Sequence, residues 1–121
     1  MSVTVVGSTR VLTPAAGTTA NVGNVVTQTN TFHVLNASSN VSPAYCYVGV
    51  FPTYAQAIAM DHPTIGTDAG GVPLAPGESM TIVGNFGTST LASQANVYVS
   101  AITAAGSTSV FFTPVAPGSD A

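Results

Sequence analysis

Branching at Cβ constrains this chain more than any other feature. Val, Thr and Ile supply 17, 17 and 4 of its 121 residues, and such side chains lose rotamer freedom in a helix but suit a pleated strand. The straight-chain residues Leu, Met, Glu, Gln, Lys and Arg together number only 12. The chain is therefore predicted to be β-rich, with its 12 Gly and 8 Pro marking turns between short strands. A mass of 12.0 kDa is one domain's worth.

Charge is the second constraint. Only 4% of residues are charged, Arg10 is the one cation of the Lys and Arg class, and the net charge is -3. Holding several phosphates takes several Lys or Arg, so neither nucleic acid nor an anionic membrane surface is an expected partner. The mean hydropathy is +0.44, yet the longest near-continuous apolar run, Ala44 to Phe51, is far short of the ~20 residues of a membrane helix. No basic segment leading into an apolar one opens the sequence, and Cys46 is the lone cysteine. Both features fit folding in a reducing cytoplasm. A monomer with so little charge would be poorly soluble, so its Thr, Ser, Asn, Gly and Ala surface suits a subunit covered by neighbours.

Along the chain, residues 1–27 read as an extended arm that can add a strand. Residues 28–112 read as a β-sandwich domain and residues 113–121 as a Pro-rich tail. Alternation is clear from Val25 to Leu35, with Phe32 and Val34 on one face and Thr31, His33 and Leu35 on the other. In Ala44 to Phe51 both faces are apolar, so both are expected to be covered. A single helical turn is expected over Tyr54 to Met60, and an irregular loop over Asp61 to Glu78. Further strands are expected at Ser79 to Phe86, Asn96 to Ile102 and Thr108 to Phe112. The tail, with Pro114 and Pro117, is not expected to enter a sheet interior.

Groups able to do chemistry are few. Asp61, His62 and Asp68 are the one tight cluster, and their spacing matches no ligand motif, so an Asx-type turn is the expected reading. His33 reads as a half-buried strand residue and Glu78 as a turn residue. Cys46, between two tyrosines in the most apolar strand, reads as inert packing. No nucleophile elbow and no phosphate-binding glycine loop is present. Neither catalysis nor a metal or other cofactor is expected. The aromatics Tyr45, Tyr47, Phe51 and Tyr54 suit a core or a subunit interface, with sugar binding the alternative.

The order of the segments N-A-S-S-N (36–40), P-L-A-P-G-E-S-M-T-I-V (73–83), Y-V-S-A-I (98–102) and F-F-T-P-x-x-P-G (111–118) resembles that of small accessory proteins of tailed-phage virions. Capsid cement, or decoration, proteins are the class it resembles most, over about residues 28–121. The resemblance implies a jelly roll or related β-sandwich, made in the host cytoplasm, that oligomerises on the capsid exterior and ties major capsid subunits together. A trimer is favoured over a dimer. A receptor- or glycan-binding module of a fibre or tail is the second expectation. Intermolecular contacts are expected from Val3, Val5, Val6, Val11 and Leu12 in the arm. Tyr45, Tyr47, Phe51 and Tyr54, with Phe112 and Pro114 near the C-terminus, are expected to add to them.

Overall fold

The computed structural model describes residues 5–14, 20–37, 46–60, 71–84, 90–103 and 108–116, with side chains described from 96 onward in the 90–103 segment. These residues form strands β1 (Arg10–Leu12), β2 (Asn21–Thr29), β3 (Thr31–Asn36), β4 (Cys46–Phe51), β5 (Val72–Leu74), β6 (Ser79–Val83), β7 (Thr90–Thr103) and β8 (Val110–Pro114). One short helix, α1 (Tyr54–Ile58), follows β4. The strands make two antiparallel four-stranded sheets, ordered β1-β8-β3-β6 and β2-β7-β4-β5. Within them β1 pairs with β8, β2 with β7, β3 with β6 and β4 with β5. A long hairpin rolled so that its successive strand pairs alternate between two sheets has this connectivity, which is that of a jelly roll. The expected all-β sandwich is the observed fold.

Alternation explains which faces are buried. Phe32 and Val34 of β3, Phe112 of β8, and Val97, Val99 and Ala101 of β7 all point between the sheets, each 0% exposed. Complete burial of one such phenylalanine is worth roughly 2–3 kcal/mol. Cys46, Val48 and Val50 of β4 face the same core. The opposite face of β4 is covered too, because α1 and Met60 fold back over it. Met60, Ala20 and Ile102 form a second cluster with Tyr47 and Phe51. Thr53 caps α1 by accepting from Gln56 N, and Ser100 Oγ donates to Ala57 O at 2.8 Å.

Several boundaries differ from expectation. Val25 to Leu35 is two strands, split at Asn30 where the chain passes from one sheet to the other. The corner is held by side chains: Asn30 Nδ2 donates to Gly84 O at 2.7 Å and Thr29 Oγ1 to Val115 O at 2.7 Å. Thr29 N in turn donates to Thr27 Oγ1, and Thr31 N to Thr29 Oγ1. Residues 10–12 and 21–27, read as arm, are strands of the sandwich, and Leu12 is 3% exposed in the core. The expected irregular loop contains β5, an edge strand short enough to carry Pro73. The tail enters the sheet as far as Pro114. Pro114 lies opposite Phe32, and Val115 N donates to Thr31 O, whereas Pro114 O accepts from Val6 N. The missing proline N–H therefore faces the N-terminal run, and no β3 ladder bond is lost.

Asn36 ties the end of β3 to its surroundings. It is 0% exposed, its Nδ2 donates to Leu74 O in the other sheet at 2.9 Å, and Thr108 Oγ1 donates to its Oδ1 at 2.6 Å. Its backbone O also accepts from Gly77 N. Gly77 sits in the turn Ala75–Glu78, where Glu78 N donates to Ala75 O. Pro76 and a glycine at φ 81° give a type II turn. Glu78 Oε1 accepts from Ala75 N at 2.9 Å, the turn role expected of it.

Candidate functional site

The expected contact residues divide by where the fold places them. Val3 and Tyr45, like Asp61, His62 and Asp68, lie outside the described residues. Leu12, Phe112 and Pro114 are buried within their own chain, because alternation turns each of them inward. As contact residues for another molecule the three are poorly placed, since a side chain buried within its own chain has little surface to offer. Tyr47 and Phe51 are half-buried beneath the α1 cluster. Tyr54 is 54% exposed, with its ring edge-on to that of Tyr98 at 6.1 Å.

The remaining valines are outward. Val5 bridges to Val115 and Val6 N–H donates to Pro114 O at 2.9 Å, so the backbone of this run is held by its own sheet. Their side chains nevertheless stay exposed, as does that of Val11. Sequence reasoning passed over Val26 of β2 and Val83 of β6, 59% and 61% exposed. The signal was in the alternation: Val26 is out of phase with Val25, and Val83 with Ile82, both of which pack against the core.

On the outer face of the β1-β8-β3-β6 sheet, Val11, Phe111, Leu35 and Ser79 form one cross-strand row. Thr113, His33 and Thr81 form the next. Thr9 and Thr113 share a hydrogen bond through their hydroxyls at 2.8 Å. His33 Nδ1 and Thr81 Oγ1, opposite each other in register, are enclosed without a hydrogen-bond partner. Among the described residues Arg10 and Glu78 are the only charged side chains, so neither outer face carries a charged row. Between the two sheets, residues 7–10 and Pro114 face Asn24, Val25 and Val26 across a groove of ≈330 Å³.

Such surfaces offer another molecule apolar contact and neutral hydrogen-bonding groups. The one thiol is withdrawn from chemistry: burial pushes Cys46 up to about 12, partly offset by a backbone hydrogen bond at Ile102. Among the described residues no three His, Cys, Asp or Glu side chains gather as metal ligands. No helix among them is long and apolar enough to cross a membrane. No family model, curated protein or solved structure matches the chain.

Proposed function

We propose that this β-sandwich is a structural protein of a phage virion. It binds the capsid exterior as a homo-oligomer and stabilises contacts between major capsid subunits. The observation that carries the reading is a two-sheet sandwich whose outer faces, among the described residues, hold no charged row, with Val11, Phe111 and Leu35 side by side on one of them. A free monomer gains nothing from such a face, whereas a subunit docked on a protein lattice buries it. Linked copies also raise avidity without stronger single contacts.

The test is to add the purified protein to capsids lacking it, across a range of ionic strength, and to measure occupancy and heat resistance. Attachment through neutral groups is expected to survive high salt and to raise the temperature at which capsids fall apart. Binding lost at high salt, or full occupancy without stabilisation, would overturn the proposal. The exposed Tyr54 against Tyr98 favours one second reading, a glycan-binding module of a fibre or tail, since sugar rings stack on aromatic faces. Saturable binding to a glycan array, lost in Tyr54→Ala, would support that reading.

A further inference from the structure

A jelly roll of two open sheets has four edges, and in this chain they are unequal. β1 and β5 are three residues long, β5 with Pro73 at its centre, and β6 is five. β2 is nine residues, Asn21–Thr29, and stands at the edge of its sheet. An edge strand presents a row of backbone N–H and C=O groups able to pair with another chain, and long edges are ordinarily blunted by Lys, Pro, inward charge or a bulge. The sequence Asn-Val-Gly-Asn-Val-Val-Thr-Gln-Thr has no charge and no proline. Its one irregularity lies between Thr27 and Thr29, leaving Asn21–Thr27 in unbroken register with β7. Among the described residues β2 pairs with β7 alone; at Asn24–Val26 it faces residues 7–10 of its own chain across the ≈330 Å³ groove, with Asn24 and Val26 exposed.

We propose that β2 is the strand through which two copies of this chain associate, β2 against β2, antiparallel across a twofold axis, joining two four-stranded sheets into one of eight. What fits an open edge is extended backbone, and the strand's own features say whose. With no charge on β2, a second copy meets no like-charge repulsion there. Among the described residues the one cation, Arg10, lines that groove and lies over Gly23 on the inner side of the sheet, where a Cβ on Gly23 would be 2.8 Å from its Nε. The alternation is also self-complementary. Centred on Val25, the pairing sets Asn24 opposite Val26 of the second copy and Val22 opposite Gln28, outward residues meeting outward residues. It places exposed Val26 in a cross-strand contact.

A trimer built through sheet edges would instead need β2 to dock head-to-tail on a different edge. The others are short, and β5 is interrupted by proline. Edge pairing therefore yields a dimer, in place of the trimer expected from the sequence.

The inference does not rest on the capsid reading and is tested on the free protein. Sedimentation over a range of concentration is expected to give twice the 12.0 kDa chain mass for the wild type. Val26→Lys, a change at an exposed position, sets a charge on the edge and is expected to raise the dissociation constant about tenfold or more. Circular dichroism should be unaltered. Val83→Lys, equally exposed on β6, should leave the mass unchanged. Asn24→Cys mixed with Val26→Cys should cross-link under oxidation, since opposed Cα atoms in an antiparallel pair are ~4.5–5.5 Å apart. Buried Cys46 leaves a clean background. A monomer at every concentration, or an oligomer indifferent to Val26→Lys or abolished by Val83→Lys, would overturn the assignment.

Discussion

Replacing Asn36 by Ala removes the polar tie between the two sheets, and the structure sets the size of the loss. Asn36 Nδ2 donates to Leu74 O at 2.9 Å, and its Oδ1 accepts from Thr108 Oγ1 at 2.6 Å. Each is worth about 1 kcal/mol net when made. Leu74 is 0% exposed, so its carbonyl loses a partner in a place water does not reach, which adds about 1–2 kcal/mol. The expected cost is about 3 kcal/mol, a melting temperature lower by roughly 10 °C for a domain of this size. Urea unfolding monitored by circular dichroism measures it, with the slope of the transition unchanged from wild type. Thr108→Val and the double variant complete a cycle, whose coupling should be about 1 kcal/mol because the two side chains bond each other directly. A loss below about 1 kcal/mol for Asn36→Ala, or no coupling to Thr108, would refute the claim that this residue fastens one sheet to the other.

Three further outcomes follow from other positions. Burial raises the Cys46 thiol from 9.0 to about 12; the folded state thus favours the neutral thiol, and its contribution is full below about pH 9 and lost as the pH rises toward 12. Stability of the wild type relative to Cys46→Ala should fall by up to about 1.4 kcal/mol per pH unit across that window, and a flat difference would show the thiol to be accessible. A methyl group at Gly49 would come within 2.7 Å of the Phe51 ring and 3.0 Å of Met60 Sδ, so Gly49→Ala should cost about 1 kcal/mol in unfolding experiments by pushing these two side chains out of their packing over β4. Gly77→Ala forces a Cβ onto a residue at φ 81° and should cost about 1 kcal/mol in the same assay; no loss would mean the turn adopts another type.

Local chemistry alone determined the class of this fold and much of its inner face. Thirty-eight β-branched residues with short alternating runs leave little besides a sandwich of strands, and Phe32, Val34, Val97 and Val99 were legible as one buried face because side chains alternate along a strand. Two apolar faces on Cys46–Phe51 likewise signalled cover on both sides, supplied by the sheet-to-sheet core and by α1 with Met60. Pro76 and Gly77 announced their turn through fixed and positive φ.

Tertiary structure decided what alternation cannot encode. The run Val25 to Leu35 bends between sheets at Asn30 and changes phase there: Val25, Thr27 and Thr29 face inward in β2 and Phe32, Val34 and Asn36 in β3, a switch that depends on partners such as Gly84 and Val115, distant in sequence. Leu12 and Phe112 became core and Val26 became edge for the same reason: which side of a strand meets another sheet is fixed only when all the strands are placed. The absence of charge was written in the sequence, but its consequence, a nine-residue neutral strand at an open edge, arises from the order in which the chain rolls its strands together.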